Sequence, residues 1–245
     1  MRTLAIGDIH GGFKGLIQLL KRAKVTESDT LIFLGDYVDG WSESAQVIQY
    51  LMNLSKTNRC VFIKGNHDVW CEEWLTYGII NDVWFNHGGK ETIESYNGFS
   101  KEEKSSHRDF FEDMHLYYID SEKRLFVHAG FTSMYGVEKE TDIRNFYFDR
   151  TLWEMARTLN LNKVNKDKRA KIDARFSFYN EIYIGHTPTI NFNQDKPMHA
   201  LNVWNVDTGA TFTGKLSAID IATKEVFQSD ILKGLYPDEL GRNKE

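Results

Sequence analysis

Five times along the chain, a short apolar run ends in a small-residue turn that carries metal-ligating side chains. These are Gly7-Asp8-Ile9-His10-Gly11, Gly35-Asp36-Tyr37-Val38-Asp39, Gly65-Asn66-His67-Asp68, His128-Ala129-Gly130 and Gly185-His186-Thr187. In an open α/β sheet, ligands bind beyond the carboxyl ends of the strands, so five such loops are expected to converge on one site. Asp8 and His10 are two apart, and an extended chain would point both to the same side. Taken singly, Gly-Asp and Gly-His pairs are ordinary turn chemistry, and His128 alone reads equally well as a satisfied core histidine. Turns alone are hard put to explain all of them together, each after an apolar strand.

The periodicity around these loops gives the fold class. Residues 3–6, 30–34 and 61–63 read as strands, and 13–23 and 42–54 as helices, the second with Ser42 as its N-cap. Near-continuous apolar strands alternating with helices are the pattern of buried parallel βαβ units. Helices are expected over 69–77, 90–96, 101–114 and 150–159. The charged stretch 162–175 reads as an exposed helix or loop. Strands are expected at 116–119, 125–127, 182–184, 200–206, 216–221 and 225–228, and the tail after Gly234 reads as frayed. No repeat or linker divides the chain, so residues 1–245 are expected to form one domain.

Composition narrows the partners. Lys and Arg total 30 against 35 Asp and Glu, a formal charge of −5. With no basic block, nucleic acid is not an expected partner. Cys60 and Cys71 form no Cys-x-x-Cys pair, and Cys60 opens an apolar run that suggests a buried thiol. No window is long and apolar enough for a membrane span, and the first residues lack a signal-peptide core. The expectation is a cytoplasmic protein with no membrane partner. Oligomeric state is left open.

The donors suit a dinuclear centre. Imidazole and carboxylate favour manganese, iron or zinc, whereas magnesium prefers all-oxygen shells, and absent Cys ligands speak against structural zinc. A carboxylate can bridge two ions, and a pair about 3.5–4 Å apart can hold a hydroxide and clamp a phosphoryl oxygen.

The five motifs resemble the signature series of calcineurin-like metallophosphoesterases, in the branch of bacterial and bacteriophage serine/threonine protein phosphatases and symmetrical diadenosine tetraphosphatases. Trp84-Phe85-Asn86-His87-Gly88-Gly89 with Thr92, Asp149-Arg150 and Val206-Asp207-Thr208-Gly209-Ala210 look similar too, so the resemblance spans residues 3 to about 221. It implies an α/β sandwich of two mixed β-sheets flanked by helices, with a dinuclear metal site at the strand ends. It also implies that Asp8 and His10 bind the first metal, that Asp36 bridges, and that Asn66, His128 and His186 complete the second shell. His67 would be the general acid, oriented by Asp39, a carboxylate expected to raise its pKa. Arg150 resembles one of a pair of arginines gripping phosphate, although a surface helix arginine is the plainer alternative.

One departure stands out. The family continues Gly-Asp-x-Val-Asp with Arg-Gly, but Gly40-Trp41 follows Asp39 here. Losing a charge-assisted bond of this kind costs about 1.5–3 kcal/mol. Lys14, Arg144, Arg157 and Lys215 are candidates for a replacement cation. Trp41 is either an aromatic wall for a substrate or packing at the start of the following helix. Trp70 and Trp74, one turn apart, suggest a shared buried stripe. His87, His107, His115 and His199 are expected to be structural or exposed, Asp68 to support its loop, and Asp207 and Gly209 to shape a turn. The expected function is phosphomonoester hydrolysis with two divalent metal ions, manganese first. Phosphoserine or phosphothreonine protein is the leading substrate and a dinucleoside polyphosphate the alternative. A non-catalytic scaffold is the reading from another class.

Overall fold

The computed structural model describes residues 2–165, 168 and 171–243. Among these, ten strands form two five-stranded sheets. In the first, β1 (Thr3–Ile6), β2 (Thr30–Phe33) and β3 (Arg59–Phe62) are parallel. Strands β9 (Lys215–Asp220) and β10 (Val226–Ile231) extend it antiparallel beyond β1. The second holds β4 (Tyr117–Ile119), β5 (Arg124–Val127), β6 (Glu181–Ile184), β7 (Met198–Ala200) and β8 (Val203–Asn205) in the order β4-β5-β6-β8-β7. Its central strands β5, β6 and β8 are parallel, and its edge strands β4 and β7 antiparallel. Both sheets are mixed, as expected.

Strand alternation explains the layering. Leu4, Ile6, Leu31 and Phe33 face one way, into a core shared with helices α1 (Phe13–Arg22) and α2 (Ser44–Leu54). The intervening Ala5 and Ile32 face the other way, against Phe126 and Tyr183 of the second sheet, in the layer between the sheets. Phe126 and Tyr183 stack with ring centroids 5.0 Å apart. Leu125, Val127, Ile182 and Ile184 then face outward against Leu152, Trp153 and Ala156 of helix Thr151–Leu161. The central strands β1, β2, β5 and β6 carry near-continuous apolar runs because both of their faces are covered.

Several local expectations are corrected. Helix α2 starts at Ser44, and the Ser42 hydroxyl donates to Glu239 instead of capping. The expected strand over 200–206 is two, because Leu201 takes a left-handed φ of 57° and reverses the chain between β7 and β8. In the stretch 162–175, residues 166, 167, 169 and 170 lie outside the described residues, while Asp173 and Arg175 form a buried ion pair. Cys60 is only half-buried, and the fully buried thiol is Cys71. The tail is not frayed over its described part: Tyr236 is buried and stacks on Trp41, with centroids 5.1 Å apart.

The helix expected from residue 69 begins at Asn66, as α3 (Asn66–Tyr77). Asp68 accounts for the early start. Its Oδ2 accepts from the N–H of Gly65 and of Asp36, each at 2.8 Å, and its Oδ1 from that of Tyr37 at 2.9 Å. This buried carboxylate ties the loop after β2 to the first turn after β3. Replacing Asp68 with Ala would strand three buried N–H donors, at about 1–3 kcal/mol each. Urea denaturation of Asp68→Ala should show a loss of about 3 kcal/mol or more, and a loss under about 1 kcal/mol would refute this role.

Candidate active site

The loops after β1, β2, β3, β5 and β6 meet, and that after β8 joins them through Asp207. Ligand atoms of His10, Asp36 and His67 lie within 4.8 Å of one another, as do those of Asp36, His128 and His186, so Asp36 belongs to both groups. Its Oδ2 is 3.7 Å from His10 Nε2 and 3.4 Å from His128 Nε2. Asp8 Oδ2 lies 3.9 Å from His10 Nε2. Asn66 Oδ1 lies 3.3 Å from His128 Nε2 and 3.0 Å from His186 Nδ1. All six expected ligands are therefore brought together.

Backbone carbonyls fix which nitrogen faces inward. His10 Nδ1 lies 3.0 Å from both the Val38 and Asp39 carbonyl oxygens, and His128 Nδ1 lies 2.7 Å from that of Leu34. A carbonyl only accepts, so each Nδ1 carries hydrogen and each Nε2 is the nitrogen that faces the cluster and offers a lone pair when the ring is neutral. This is the arrangement found around metal-ligating histidines. Burial holds the His10 pKa well below its usual value, keeping the ring in its neutral, ligating form. Burial pulls His128 down as well, but the Asp36 carboxylate beside it wins and lifts it to about 10. Lone pairs and carboxylates packed this closely demand positive charge, and a pair of divalent cations would supply it. The residues fit such ions.

Asp8 and His10 do not meet through extended chain. His10 sits at a left-handed φ of 52°, as do Asp36 at 53°, Asp39 at 72° and His186 at 65°. Four non-glycine residues in that region mark stored backbone strain. The turn is held because Ile9 and His10 N–H both donate to the Asp36 carbonyl, at 3.0 and 2.9 Å.

His67 Nδ1 lies 2.6 Å from Asp39 Oδ2. Asp39 is fully buried and accepts from Thr92 Oγ1 at 2.6 Å and Trp84 Nε1 at 2.8 Å. Burial pushes Asp39 up to about 8 and His67 down to about 3. The expected rise in His67 is thus reversed, since burial outweighs the acidic neighbours and the Arg242 guanidinium adds to the fall.

A cavity of about 370 Å³ opens over the donors, its walls including His67, Trp70, Phe148, Arg150, Asp207 and Arg242. Arg150 is exposed and donates to Thr187 Oγ1 at 3.4 Å.

A family model described as calcineurin-like phosphoesterase matches residues 1–210. The chain is a calcineurin-like metallophosphoesterase. It is 30% identical over 232 residues to an asymmetrical bis(5'-nucleosyl)-tetraphosphatase PrpE of Anoxybacillus flavithermus, covering 87% of this chain and 88% of that protein. It is 28% identical to the protein of the same name from Halalkalibacterium halodurans, covering 87% of each. Among solved structures, a Saccharomyces cerevisiae protein serine/threonine phosphatase aligns with a TM-score of 0.62 at 13% identity, over 94% of this chain and 79% of that one. A metallophosphoesterase from Sphaerobacter thermophilus aligns at 0.56 and 16% identity, over 94% and 87%. Membership makes the chain a metal-dependent phosphoester hydrolase, and no helix among its described residues is long and apolar enough to cross a membrane.

Within this metallophosphoesterase, several site residues escaped the sequence reading. Asp207, expected to shape a turn, does accept from the Gly209 N–H at 2.9 Å but also lines the cavity. Trp70 and Trp74 are both half-buried against the first core, but Trp70 also lines the cavity, where it meets His67 edge-on at 5.1 Å, while Trp74 packs on Trp84 and Tyr96. His87 is exposed yet lines the cavity. The four proposed replacement cations are engaged elsewhere: Lys14 and Arg157 lie over the Tyr236 and Phe192 rings, Arg144 pairs with Asp142 and Lys215 with Asp195. Arg242, in the supposedly frayed tail, reaches the cavity, and only the Gly40-Trp41 departure hinted that such a residue was needed.

The glycines that open these motifs make room for one another's ligands. A Cβ on Gly65 would stand 2.2 Å from Asp36 Oδ1, and one on Gly185 2.1 Å from Asp8 Oδ1. Gly185→Ala should therefore lose most bound manganese, measured per chain by atomic absorption. Gly234→Ala, which meets nothing within 4 Å, should keep it. Equal manganese in both would contradict this steric account.

Proposed function

We propose that the enzyme hydrolyses phosphoric anhydrides and esters of nucleotides, with a dinucleoside polyphosphate as its leading substrate class. The observation that carries the hydrolytic part is the Asp36 carboxylate shared by two donor groups, with the His67–Asp39 pair beside it. Asp8, His10 and Asp36 would hold one ion, and Asp36, Asn66, His128 and His186 the other. Bound divalent ions, manganese first with iron or zinc as alternatives, supply Lewis-acid charge and an activated water.

The chain's own groups do the rest. Arg150 grips a non-bridging phosphoryl oxygen from the cavity wall. His67 serves as the acid toward the leaving oxygen once Arg242 has turned from Nε2 to the phosphate and Nε2 carries a proton, while Asp39 holds the ring through Nδ1. Thr92 and Trp84 in turn hold Asp39, so the ring's orientation is fixed from behind.

The nucleotide preference is supported by the names of the relatives, which match over most of both chains. The aromatic faces of Trp70, Phe148 and Phe212 around the cavity suit a base, which stacks on such faces. The motifs alone ranked phosphoprotein first. That second reading draws on exposed Val83, which lines the cavity, and on the exposed Ile79 and Ile80 that precede it in the chain, apolar side chains against which a peptide would press.

A substrate panel separates the two. With manganese restored after chelation, diadenosine tetraphosphate should be cleaved with higher kcat/KM than phosphoserine or phosphothreonine peptides. Cleavage of the peptides alone would reverse the ranking. Loss of all activity on chelation, and its return with manganese, is expected for every substrate.

His67→Asn tests the acid. A phosphate leaving group needs less protonation than an alkoxide, so the change should cost roughly 10²–10⁴-fold in kcat on an alkyl phosphate. It should cost less on diadenosine tetraphosphate and leave manganese per chain unaltered. Undiminished turnover of the alkyl ester would remove His67 from this role.

A further inference from the structure

We infer that Arg242 is a second phosphate-gripping group of this active site, delivered by a strap formed by residues 236–243. The assignment rests on the phosphoesterase reading above.

Arg242 and Arg150 both line the cavity over the donor cluster. Neither has a carboxylate within ion-pair distance among the described residues. Arg175 shows the contrast, since its buried guanidinium lies 2.6 Å from Asp173 and 3.8 Å from Asp149. Arg242 is half-buried beside the acidic cluster without such a direct partner, so a phosphate oxygen entering the cavity would complete it. Arg242 Nη1 donates to His67 Nε2 at 2.9 Å. Its Nε is buried and has no hydrogen-bond partner among the described residues. A guanidinium has five N–H donors in a planar fork matched to phosphate oxygens. The residue that meets Nε2 of the proposed acid thus carries an unanswered donor beside the same cavity.

The strap is built, not draped. The Tyr236 hydroxyl donates to Glu43 and accepts from the Lys14 N–H, and its ring stacks on Trp41. Glu239 accepts from the Ser42 N–H and hydroxyl at 2.9 and 2.8 Å. The Arg242 N–H donates to the Thr211 carbonyl at 2.9 Å. Gly241 lies flat on Trp41: a Cβ there would stand 2.8 Å from the indole Cζ2 and 2.6 Å from Thr211 O. A Cβ on Gly40 would come 2.5 Å from Thr211 Oγ1 and 3.4 Å from Arg242 Cγ. Gly40 and Trp41 therefore form the seat of the strap, and a larger residue at 40 would crowd the stem of Arg242.

The test uses the full chain loaded with manganese and inorganic phosphate as the probe. Calorimetric phosphate affinity should fall roughly tenfold or more in Arg242→Ala, the scale of one charge-assisted bond. Arg242→Lys should recover part of it. Manganese per chain should not change, and kcat/KM on an aryl phosphate should fall in parallel. Gly241→Val keeps the guanidinium but lifts the strap from Trp41, and it should weaken phosphate binding as well. Phosphate affinity in Arg242→Ala within about twofold of the parent would overturn the assignment, whatever the turnover. A parent chain that binds phosphate but hydrolyses no phosphoester would defeat the phosphoesterase reading and leave Arg242 in place.

Discussion

The Asp36 carboxylate is the constraint around which the rest is arranged. It is buried, it stands between two imidazoles on different sheets, and it belongs to both donor groups. A carboxylate removed from water is costly unless positive charge or hydrogen-bond donors compensate it. The protein offers the His67 N–H to Asp36 Oδ1 at 3.0 Å, and the imidazoles around it hold its pKa well below the usual range despite burial. Asp8 and Asp207 add further acid nearby, and burial followed by the Asp207 charge drives Asp8 well above its normal value. Such a cluster is poorly served by protons alone, which is why its geometry reads as a receptor for cations.

Holding that cluster explains features that otherwise look like defects. The left-handed turns at His10 and Asp36 cost conformational energy, yet they let the two loops exchange backbone hydrogen bonds and turn both side chains inward. Asp68 offsets some of this by satisfying three N–H groups at once, those of Asp36 and Tyr37 in one of these loops and that of Gly65 after β3. The glycines before Asn66 and His186 contribute by having no side chain, since each faces the carboxylate of another loop. Strand ends alone would not bring the donors this close.

How much of this was legible follows from how local each cause is. Strand alternation, glycine turns and ligand types are written within a few residues, so the βαβ pattern and the convergence of Asp, Asn and His loops could be read directly, while the two-sheet sandwich and the set of six donors followed from the family resemblance. The start of α3 at Asn66 depends on where the Asp68 carboxylate reaches, and apolar periodicity does not report that. The support of Asp39 by Trp84 and Thr92 spans 45 and 53 residues, across a segment whose π-turn at Phe85–Gly89 has no periodic signature. Trp70 and Trp74 looked equivalent at helical spacing and both pack on the first core, but only Trp70 also lines the cavity. The tail was misjudged for the same reason, since its polar composition is that of a free end, and its anchors lie about two hundred residues away.

The tail also shows why a departure from a motif need not be a loss. Gly40 has a φ of 120°, a conformation open to glycine and strained for other residues. The loop after Asp39 is therefore turned so that position 40 cannot present a side chain to the cavity without striking Thr211. The next residue, Trp41, is driven into the core, with its indole N–H donating to the Ala210 carbonyl at 3.0 Å. That burial leaves a flat aromatic surface and a vacant approach beside it, and both are filled by the segment carrying Gly241 and Arg242. The backbone geometry that removes a cation from one loop thus creates the seat that can admit one from another.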